Sequence, residues 1–259
     1  MVKGLYTASW GMINEQKRVD ILSNNMANSS TTGYKKEGST SEAFRDVLAY
    51  KIHDTSTPGY AKRLGAMNMG VKIGEVYTDY SQGPIHETGN TFDMALSGNG
   101  FFAIEFTNKS GESSIKYTRD GNFTLNVKGE VVNKNGDYLL DTAGNHITVD
   151  PFAELSIDRM GTLYVNGAAQ AKIQVTDFDD YNFLEKYGEN YLTALDGATE
   201  KASTAQVISN YLEDSNVQVV EEMVSLINYT RAYETNQKMI QAIDSTLETA
   251  VSRVGRVSG

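Results

Sequence analysis

The strongest constraint on the fold is a seven-residue repeat that occurs at both ends of the chain. The repeat and its flanking positions are Leu5, Met12, Gln16, Val19, Leu22 and Met26 at one end and Val219, Met223, Leu226, Tyr233, Gln237, Ile240 and Leu247 at the other. This spacing is typical of a helix with one apolar face. Burial of each apolar side chain contributes about 1.5–3 kcal/mol, so an unpaired face forgoes on the order of 10 kcal/mol. The repeat therefore predicts two amphipathic helices that pack on each other or on neighbouring copies.

Polar and aromatic residues give these two faces a more specific character. Gln16 and Gln237 fall at heptad positions that are otherwise apolar, and a polar residue at such a position can fix the register of a helical pair. Four aromatic residues lie on or beside the repeat: Tyr6, Trp10, Tyr229 and Tyr233. Because such side chains join a large apolar body to a polar part, they suit interface positions as well as core positions.

The composition narrows the classes of function. The net charge of −10 argues against general affinity for nucleic acid or anionic lipid. The absence of cysteine excludes disulfides, thiolate metal sites and cysteine nucleophiles. The sequence contains no run of 18 apolar residues of the kind that indicates a membrane span. The first residues lack the apolar core of a cleaved secretory signal.

The middle of the chain predicts a β-rich, antiparallel domain. Apolar alternation begins at Val71, the run from Phe101 to Ile104 indicates a strand buried on both faces, and Asn-Gly or similar pairs recur as hairpin turns. Before this domain, 42–52 predicts a short helix. After Phe178 the strand signal fades, and Asp214-Ser215-Asn216 is the expected N-cap region of the last helix.

The predicted fold class is α+β, with the N- and C-terminal helices paired as a coiled coil around a central antiparallel β domain. The expected division is an N-terminal helix and signature turn at 1–36, a connector at 37–70, the β domain at 71–196, a linker at 197–213 and the C-terminal helix at 214–259.

Candidate catalytic and metal-binding residues are scattered along the chain. His53, His86 and His146 lack partners at metal-ligand spacing. Ser97 lacks the flanking glycine and following helix of a nucleophile elbow. Asp93 and Asp120 would be the candidate catalytic carboxylates if the protein were a hydrolase, but the sequence shows no paired geometry for them. We therefore expect no catalysis, no metal site and no cofactor.

Several blocks of residues occur together in one order along nearly the whole chain. They include Gly4-Leu5-Tyr6-Thr7-Ala8, Ser23-Asn24-Asn25-Met26-Ala27-Asn28, Thr32-Gly33-Tyr34-Lys35, Gln82-Gly83, Gly100-Phe101-Phe102, Tyr117-Thr118-Arg119-Asp120-Gly121, Leu212-Glu213, Ser215-Asn216-Val217, Glu221-Glu222-Met223-Val224 and Arg231-Ala232-Tyr233-Glu234. Together these blocks resemble the bacterial flagellar rod and hook proteins. The residues of this chain that are taken as the signature of that family are Asn24, Asn25, Ala27, Asn28, Thr32, Gly33, Tyr34, Ser215, Asn216, Glu222, Arg231, Ala232 and Tyr233.

The resemblance implies a structural subunit of the flagellar basal-body rod, which transmits torque from the motor to the hook. It also implies paired terminal helices in a coiled coil, copies of itself and other rod or hook proteins as partners, passage through the flagellar type III export apparatus, and a place outside the cytoplasmic membrane. Ser209-Asn210-Tyr211 stands where the family commonly has a Gln-Gly pair, which leaves a proximal or distal position in the rod open. The alternatives are a hook-type axial subunit and a module of the cell envelope that binds the glycan peptidoglycan.

Overall fold

A computed structural model of the chain describes residues 2–51, 62–108, 111–150, 152–153, 155–188 and 190–254. The chain forms two compact units, each assembled from segments far apart in sequence. The first, called the helical unit, comprises Met1–Ala27, Glu37–Asp79 and Gln218–Gly259. The second, called the β body, comprises Asn28–Lys36 and Tyr80–Val217. The α+β class is as predicted, and the five-segment division of the sequence stays a prediction.

Two long helices lie in the described part of the helical unit. They are α1, Val2–Ala27, and α2, Val219–Thr249, which continues into a π-helical turn at Ala250–Val254. Neither helix has the length and apolarity, within the described residues, that a membrane crossing requires. The predicted heptad residues from Leu5 to Met26 all lie within α1.

The N-terminus of α2 differs from the predicted one. The N-cap residue is Gln218, whose side chain makes no capping hydrogen bond, so the cap predicted at 214–216 is wrong. Those side chains are engaged elsewhere: Ser215 Oγ accepts a hydrogen bond from the Val217 amide, and Asn216 Oδ1 accepts one from the Lys36 amide. Glu221 and Glu222 do occupy the first turn of α2, where the helix dipole favours anions.

The described residues of the helical unit also contain four strands. They are β1 (Glu37–Ala43), β2 (Val47–Lys51), β3 (Lys62–Met67) and β4 (Val71–Thr78). Strand β1 pairs with β4 and β2 pairs with β3, both antiparallel. The short helix predicted at 42–52 is therefore wrong over its described residues, because these residues find strand partners within the unit. Ile52 and His53 lie outside the described residues.

The β body contains sixteen strands within its described residues. They are β5 (Ile85–Glu87), β6 (Met94–Ser97), β7 (Phe101–Thr107), β8 (Ser113–Thr118), β9 (Phe123–Leu125), β10 (Val131–Asn133), β11 (Tyr138–Leu139), β12 (Leu155–Ile157), β13 (Thr162–Val165), β14 (Ala168–Lys172), β15 (Val175–Phe178), β16 (Leu184–Tyr187), β17 (Tyr191–Ala194), β18 (Glu200–Ala202), β19 (Gln206–Ser209) and β20 (Tyr211–Glu213). The expectation that strand structure fades after Phe178 is wrong. The last five strands are three or four residues long, too short for a clear alternation signal.

The largest sheet of the β body is antiparallel at every described pairing. Its strand order is β16-β17-β8-β7-β11-β10-β9, with β15 bridging β7 and β18. A three-stranded sheet β12-β13-β14 and the pairs β19-β6 and β20-β5 complete the described part of the body. The hairpin between β13 and β14 turns at Asn166-Gly167, where both residues have positive φ, as a type I′ turn requires.

The central strand β7 separates two apolar clusters. Phe102 and Ile104 pack into one cluster, and Phe101 and Ala103 into the other. All four are at most 1% exposed, which confirms the predicted strand buried on both faces. The β body therefore has a complete core on each side of its main sheet.

Candidate assembly site

The helices α1 and α2 pack against each other in opposite directions. Three contacts fix this register: a Cβ placed on Gly4 would lie 3.5 Å from Ile243 Cδ1, one placed on Gly11 would lie 3.0 Å from Asn236 Nδ2, and the Arg18 guanidinium carbon lies 5.0 Å from the centre of the Tyr229 ring. Each step along the pair is seven residues on both helices. The two helices therefore touch in seven-residue steps, through residues other than the predicted heptad positions, and the coiled coil itself stays a prediction.

The predicted heptad residues differ in burial. Half-buried positions are Leu5, Met12, Val19, Leu22, Met26, Val219, Leu226, Tyr233, Ile240 and Leu247, and exposed positions are Gln16, Met223 and Gln237. The proposed role of the two glutamines in fixing register stays a prediction. Since even the apolar positions keep some exposed surface, the helix pair is incompletely covered.

A second face of α1 packs on the strands of the helical unit. The Trp10 ring meets Phe44 edge to face with centroids 5.0 Å apart, and Thr7 Oγ1 donates a hydrogen bond to the Met69 carbonyl. The Asn25 side chain donates to the Glu37 carbonyl at 2.8 Å and accepts from the Glu37 amide at 2.9 Å. This paired hydrogen bond holds the end of α1 to the start of β1.

In the β body, the backbone geometry explains why position 33 of the signature is a glycine. Gly33 has φ of +67°, and a Cβ placed on it would lie 2.4 Å from the carbonyl carbon of Arg119. Its amide donates to the Glu213 carbonyl at 2.8 Å. Only glycine combines this backbone conformation with so close an approach.

Three buried charges form a cluster beside Gly33. Lys35 donates to Glu213 Oε1, and Arg119 Nη1 donates to Glu213 Oε2 at 3.1 Å. Glu213 Oε1 also accepts from the Gly83 amide at 2.9 Å. The three charged residues are at most 5% exposed, so the cluster ties the signature turn to the middle and the end of the β body.

The other signature residues surround these contacts or lie on the helices. Thr32 Oγ1 donates to Asp120 Oδ1 at 2.7 Å, Asn28 Oδ1 accepts from Thr31, and the Tyr34 ring is 1% exposed beneath the Lys186 ammonium. Asn24, Ala27 and Arg231 are exposed, Glu222 is buried, and Ala232 and Tyr233 are half-buried. The signature therefore divides between the helix pair of one unit and the turn of the other, and the individual roles stay predictions.

A cavity of about 510 Å³ adjoins the signature turn in the β body. Beneath it, the Tyr191 hydroxyl donates to Asp137 Oδ2 at 2.6 Å and accepts from Asn133 Nδ2. Burial, followed by the hydrogen bond to Asp137, raises the pKa of Tyr191 to about 12. The phenol therefore stays neutral and holds this polar network together.

Asp93, Asp120 and the two histidines within the described residues, His86 and His146, have structural partners. Asp93 accepts from Asn90, and Asp120 accepts from Thr32 and from the Asn122 amide. His146 lies 2.6 Å from Glu105, and hydrogen bonds from Ser113 and His146 lower the pKa of the Glu105 carboxyl. His86 Nδ1 lies 3.1 Å from Asp214. These contacts brace strands and turns.

Sequence reasoning gave Lys35, Arg119 and Glu213 no role, although all three lie in the blocks quoted above. The sequence signal that could have indicated their role was the presence of a charged residue inside a block that is otherwise apolar or turn-forming. The pairing itself needed the fold, since 178 residues separate Lys35 from Glu213.

Three family sequence models match the chain. Residues 5–35 match the model described as "Flagella basal body rod protein", residues 95–165 the model "Flagellar hook protein FlgE/F/G D1 domain", and residues 208–253 the model "Flagellar basal body rod FlgEFG protein C-terminal". The matched segments include most of α1, all of α2 and the strand β7.

Full-length relatives are similar over nearly the whole chain. The flagellar basal-body rod protein FlgF of Caulobacter vibrioides is 31% identical, with 100% of both chains covered. The rod protein FlgG of the same organism is 34% identical over 95% of this chain and 97% of its own. The flagellar hook-basal body complex protein FlhO of Bacillus subtilis is 31% identical over 99% of this chain and 100% of its own.

Proposed function

Because this chain belongs to the family of bacterial flagellar basal-body rod proteins, we propose that it builds the rod through its paired terminal helices and carries torque along them. The observation that supports this role is the antiparallel contact of α1 with α2 in steps of seven residues. The comparisons name rod and hook proteins, and none of them points to the glycan-binding alternative.

The pairing of α1 with α2 is proposed to be a coiled coil. Seven-residue steps on both helices are the spacing at which knobs fit into holes along a continuous seam. A shaft must resist twist, and long helices packed side by side place many contacts in parallel. The β body, with its own core, then serves as a rigid outer part of each subunit.

Assembly is proposed to involve copies of this chain together with other rod and hook proteins, outside the cytoplasmic membrane, after passage through the flagellar export apparatus. A subunit that meets its neighbours through two different surfaces forms an open filament when the rotation does not close. The partly exposed helix pair supplies surface for such contacts.

Removal of α2 tests this function in cells. A strain that carries a deletion of residues 219–254 in place of the native gene is expected to lose motility and to form basal bodies without a complete rod in electron micrographs. The matched control is the single substitution of an exposed residue of the β body, Met160→Ser, which is expected to leave motility and rods intact. Normal rods and swimming in the deletion strain would contradict the proposal.

A further inference from the structure

Two rows of exposed side chains run along the helix pair, and each has the same alternating spacing of three and four residues. The row on α1, called the α1 row, is Lys3, Tyr6, Trp10, Ile13 and Lys17. Tyr6 is 57% exposed, Trp10 40% and Ile13 39%. An apolar group of three is thus bracketed by a lysine at each end. Trp10 also contacts Phe44 of the same chain through its ring edge, and Lys3 Nζ lies 3.8 Å from the Met67 sulfur, so these two side chains offer only their remaining exposed surface.

The row on α2, called the α2 row, is Val220, Val224, Ile227, Arg231 and Glu234. Its apolar members are 75%, 55% and 53% exposed in chain order. They point away from α1, because the contacts between the helices use Tyr229, Asn236 and Ile243. This row places valine and isoleucine at one end and charged residues at the other.

We infer that the α1 row of one copy docks on the α2 row of a second copy, with the helices antiparallel. This inference rests on the proposed rod function and names the surface that would carry it. When the rows are laid against each other, five pairs face at once: Lys3 with Glu234, Tyr6 with Arg231, Trp10 with Ile227, Ile13 with Val224, and Lys17 with Val220. Glu221 lies beside the last pair, within reach of the Lys17 ammonium.

Four of the five pairs are chemically complementary, and Lys17, which faces Val220, has the opposite charge of Glu221 beside it. Lys3 with Glu234 is an ion pair, Tyr6 with Arg231 is a cation–π pair, and the central pairs join apolar to apolar side chains. Two α1 rows facing each other would instead place lysine opposite lysine at both ends, which is repulsive. The charges therefore favour a contact between different surfaces of two copies over a symmetric one.

The contact between copies is shifted relative to the contact within one copy. Within a copy, Gly11 faces Asn236, whereas between copies Trp10 faces Ile227. This difference is about ten residues, or about 15 Å along the helix at 1.5 Å per residue. Because each docked copy is displaced along the axis, the contact does not close a two-fold dimer and can repeat.

Cross-linking tests this pairing directly, since the chain has no cysteine. Ile13→Cys and Val224→Cys are introduced on separate gene copies in cells that lack the native gene. Mild oxidation is expected to give a covalent dimer of this chain that joins the two new cysteines, identified by mass spectrometry. Ile13→Cys with Met239→Cys is the matched control, because Met239 is 55% exposed on α2 outside the row, and it is expected to give at least tenfold less dimer.

Charge reversal gives a second measurement. Lys3→Glu and Glu234→Lys are each expected to lower the fraction of swimming cells several-fold, and the double variant is expected to recover to within about twofold of the native strain. Rods that form while Ile13→Cys and Val224→Cys give no dimer, or cross-link to a different protein, would overturn the second-copy contact and leave the rod function standing. Normal rods in cells without the gene would instead overturn the rod function.

Discussion

The β body and the helical unit bury their apolar residues to very different degrees. In the β body, Phe102, Ala103 and Ile104 are completely buried. In the described part of the helical unit, Ala8 is the one buried hydrophobic residue, whereas Val220 and Met223 are substantially exposed. The β body is therefore complete within one chain, and the helical unit is not.

This difference places the two requirements of a shaft protein in separate parts of the molecule. A complete core keeps each subunit rigid, because closely packed interiors resist deformation. An uncovered helix pair retains apolar area that contributes free energy only when a neighbour covers it, at about 25 cal/mol per Å². Assembly can then be favourable without any cost to the folding of the β body.

Backbone order in the dilute monomer should give the largest difference between the units. We expect amides of β7 to exchange with solvent on the order of a thousandfold more slowly than amides of α1 and α2, because local stability follows buried contacts. Hydrogen exchange measured by mass spectrometry on monomer and polymer checks this, together with circular dichroism for the gain in helix on assembly. A monomer with the full helix content of the polymer would contradict the expected difference.

Removal of the buried carboxylate should destabilise the β body strongly. Glu213→Gln removes the buried carboxylate that Lys35 and Arg119 share, and breaking a buried charge pair in this way costs about 3–5 kcal/mol. The loss of unfolding free energy is measured by urea unfolding, followed by the far-UV circular dichroism signal of the β structure.

The exposed Glu185 on β16 provides the control for this substitution. Glu185→Gln should change the free energy of unfolding by less than about 0.5 kcal/mol. If Glu213→Gln were no more destabilising than Glu185→Gln, the charge cluster would not be what joins the signature turn to the β body.

Substitution of the signature glycine, Gly33, should lower the unfolding free energy by less than Glu213→Gln does. It can separate two causes of the loss, the positive φ and the steric contact of a Cβ. Gly33→Ala introduces both an unfavourable φ and a Cβ in contact with the Arg119 backbone, whereas Gly144→Ala introduces only the former, because nothing lies within 4 Å of its Cβ position. We expect about 1 kcal/mol for Gly144→Ala and at least about 2 kcal/mol for Gly33→Ala. Equal losses would show that the close approach at Gly33 is relieved by a small backbone shift.

The sequence was most informative where one side-chain period ran over many residues. The heptad repeats located α1 and α2, and the run from Phe101 to Ile104 located the central strand. The turn at Asn166-Gly167 was predictable because positive φ at both positions is restricted to few residue types. Each of these signals is local, so no knowledge of the fold was needed.

The wrong predictions share a different cause, which is that tertiary partners decided the outcome. The segment at 42–51 has apolar residues at helical spacing, yet β1 pairs with β4 and β2 with β3. The strands after Phe178 are short and take their hydrogen bonds from distant strands, as β19 does from β6. The role of Glu213 likewise depends on Lys35 and Arg119, which only the folded chain brings near it.

The smallest expected effect concerns the response of the β body to alkaline pH. The pKa of Tyr191 is about 12 in the folded chain and about 10 in an unfolded one. Because the folded pKa is raised, the stabilisation is fully present below about pH 10 and is lost as pH rises towards about 12.

Tyr191→Phe should cost about 1–2 kcal/mol of unfolding free energy at neutral pH, since Asp137 and Asn133 lose a buried hydrogen-bond partner. The substitution should also flatten the decline in stability between about pH 10 and 12. Burial also raises the pKa of Tyr117 and Tyr181, so the measurement is the difference between native and variant unfolding curves across that range. A decline as steep in the variant as in the native chain would assign the alkaline sensitivity to the other two tyrosines and remove Tyr191 from the features that make the β body complete.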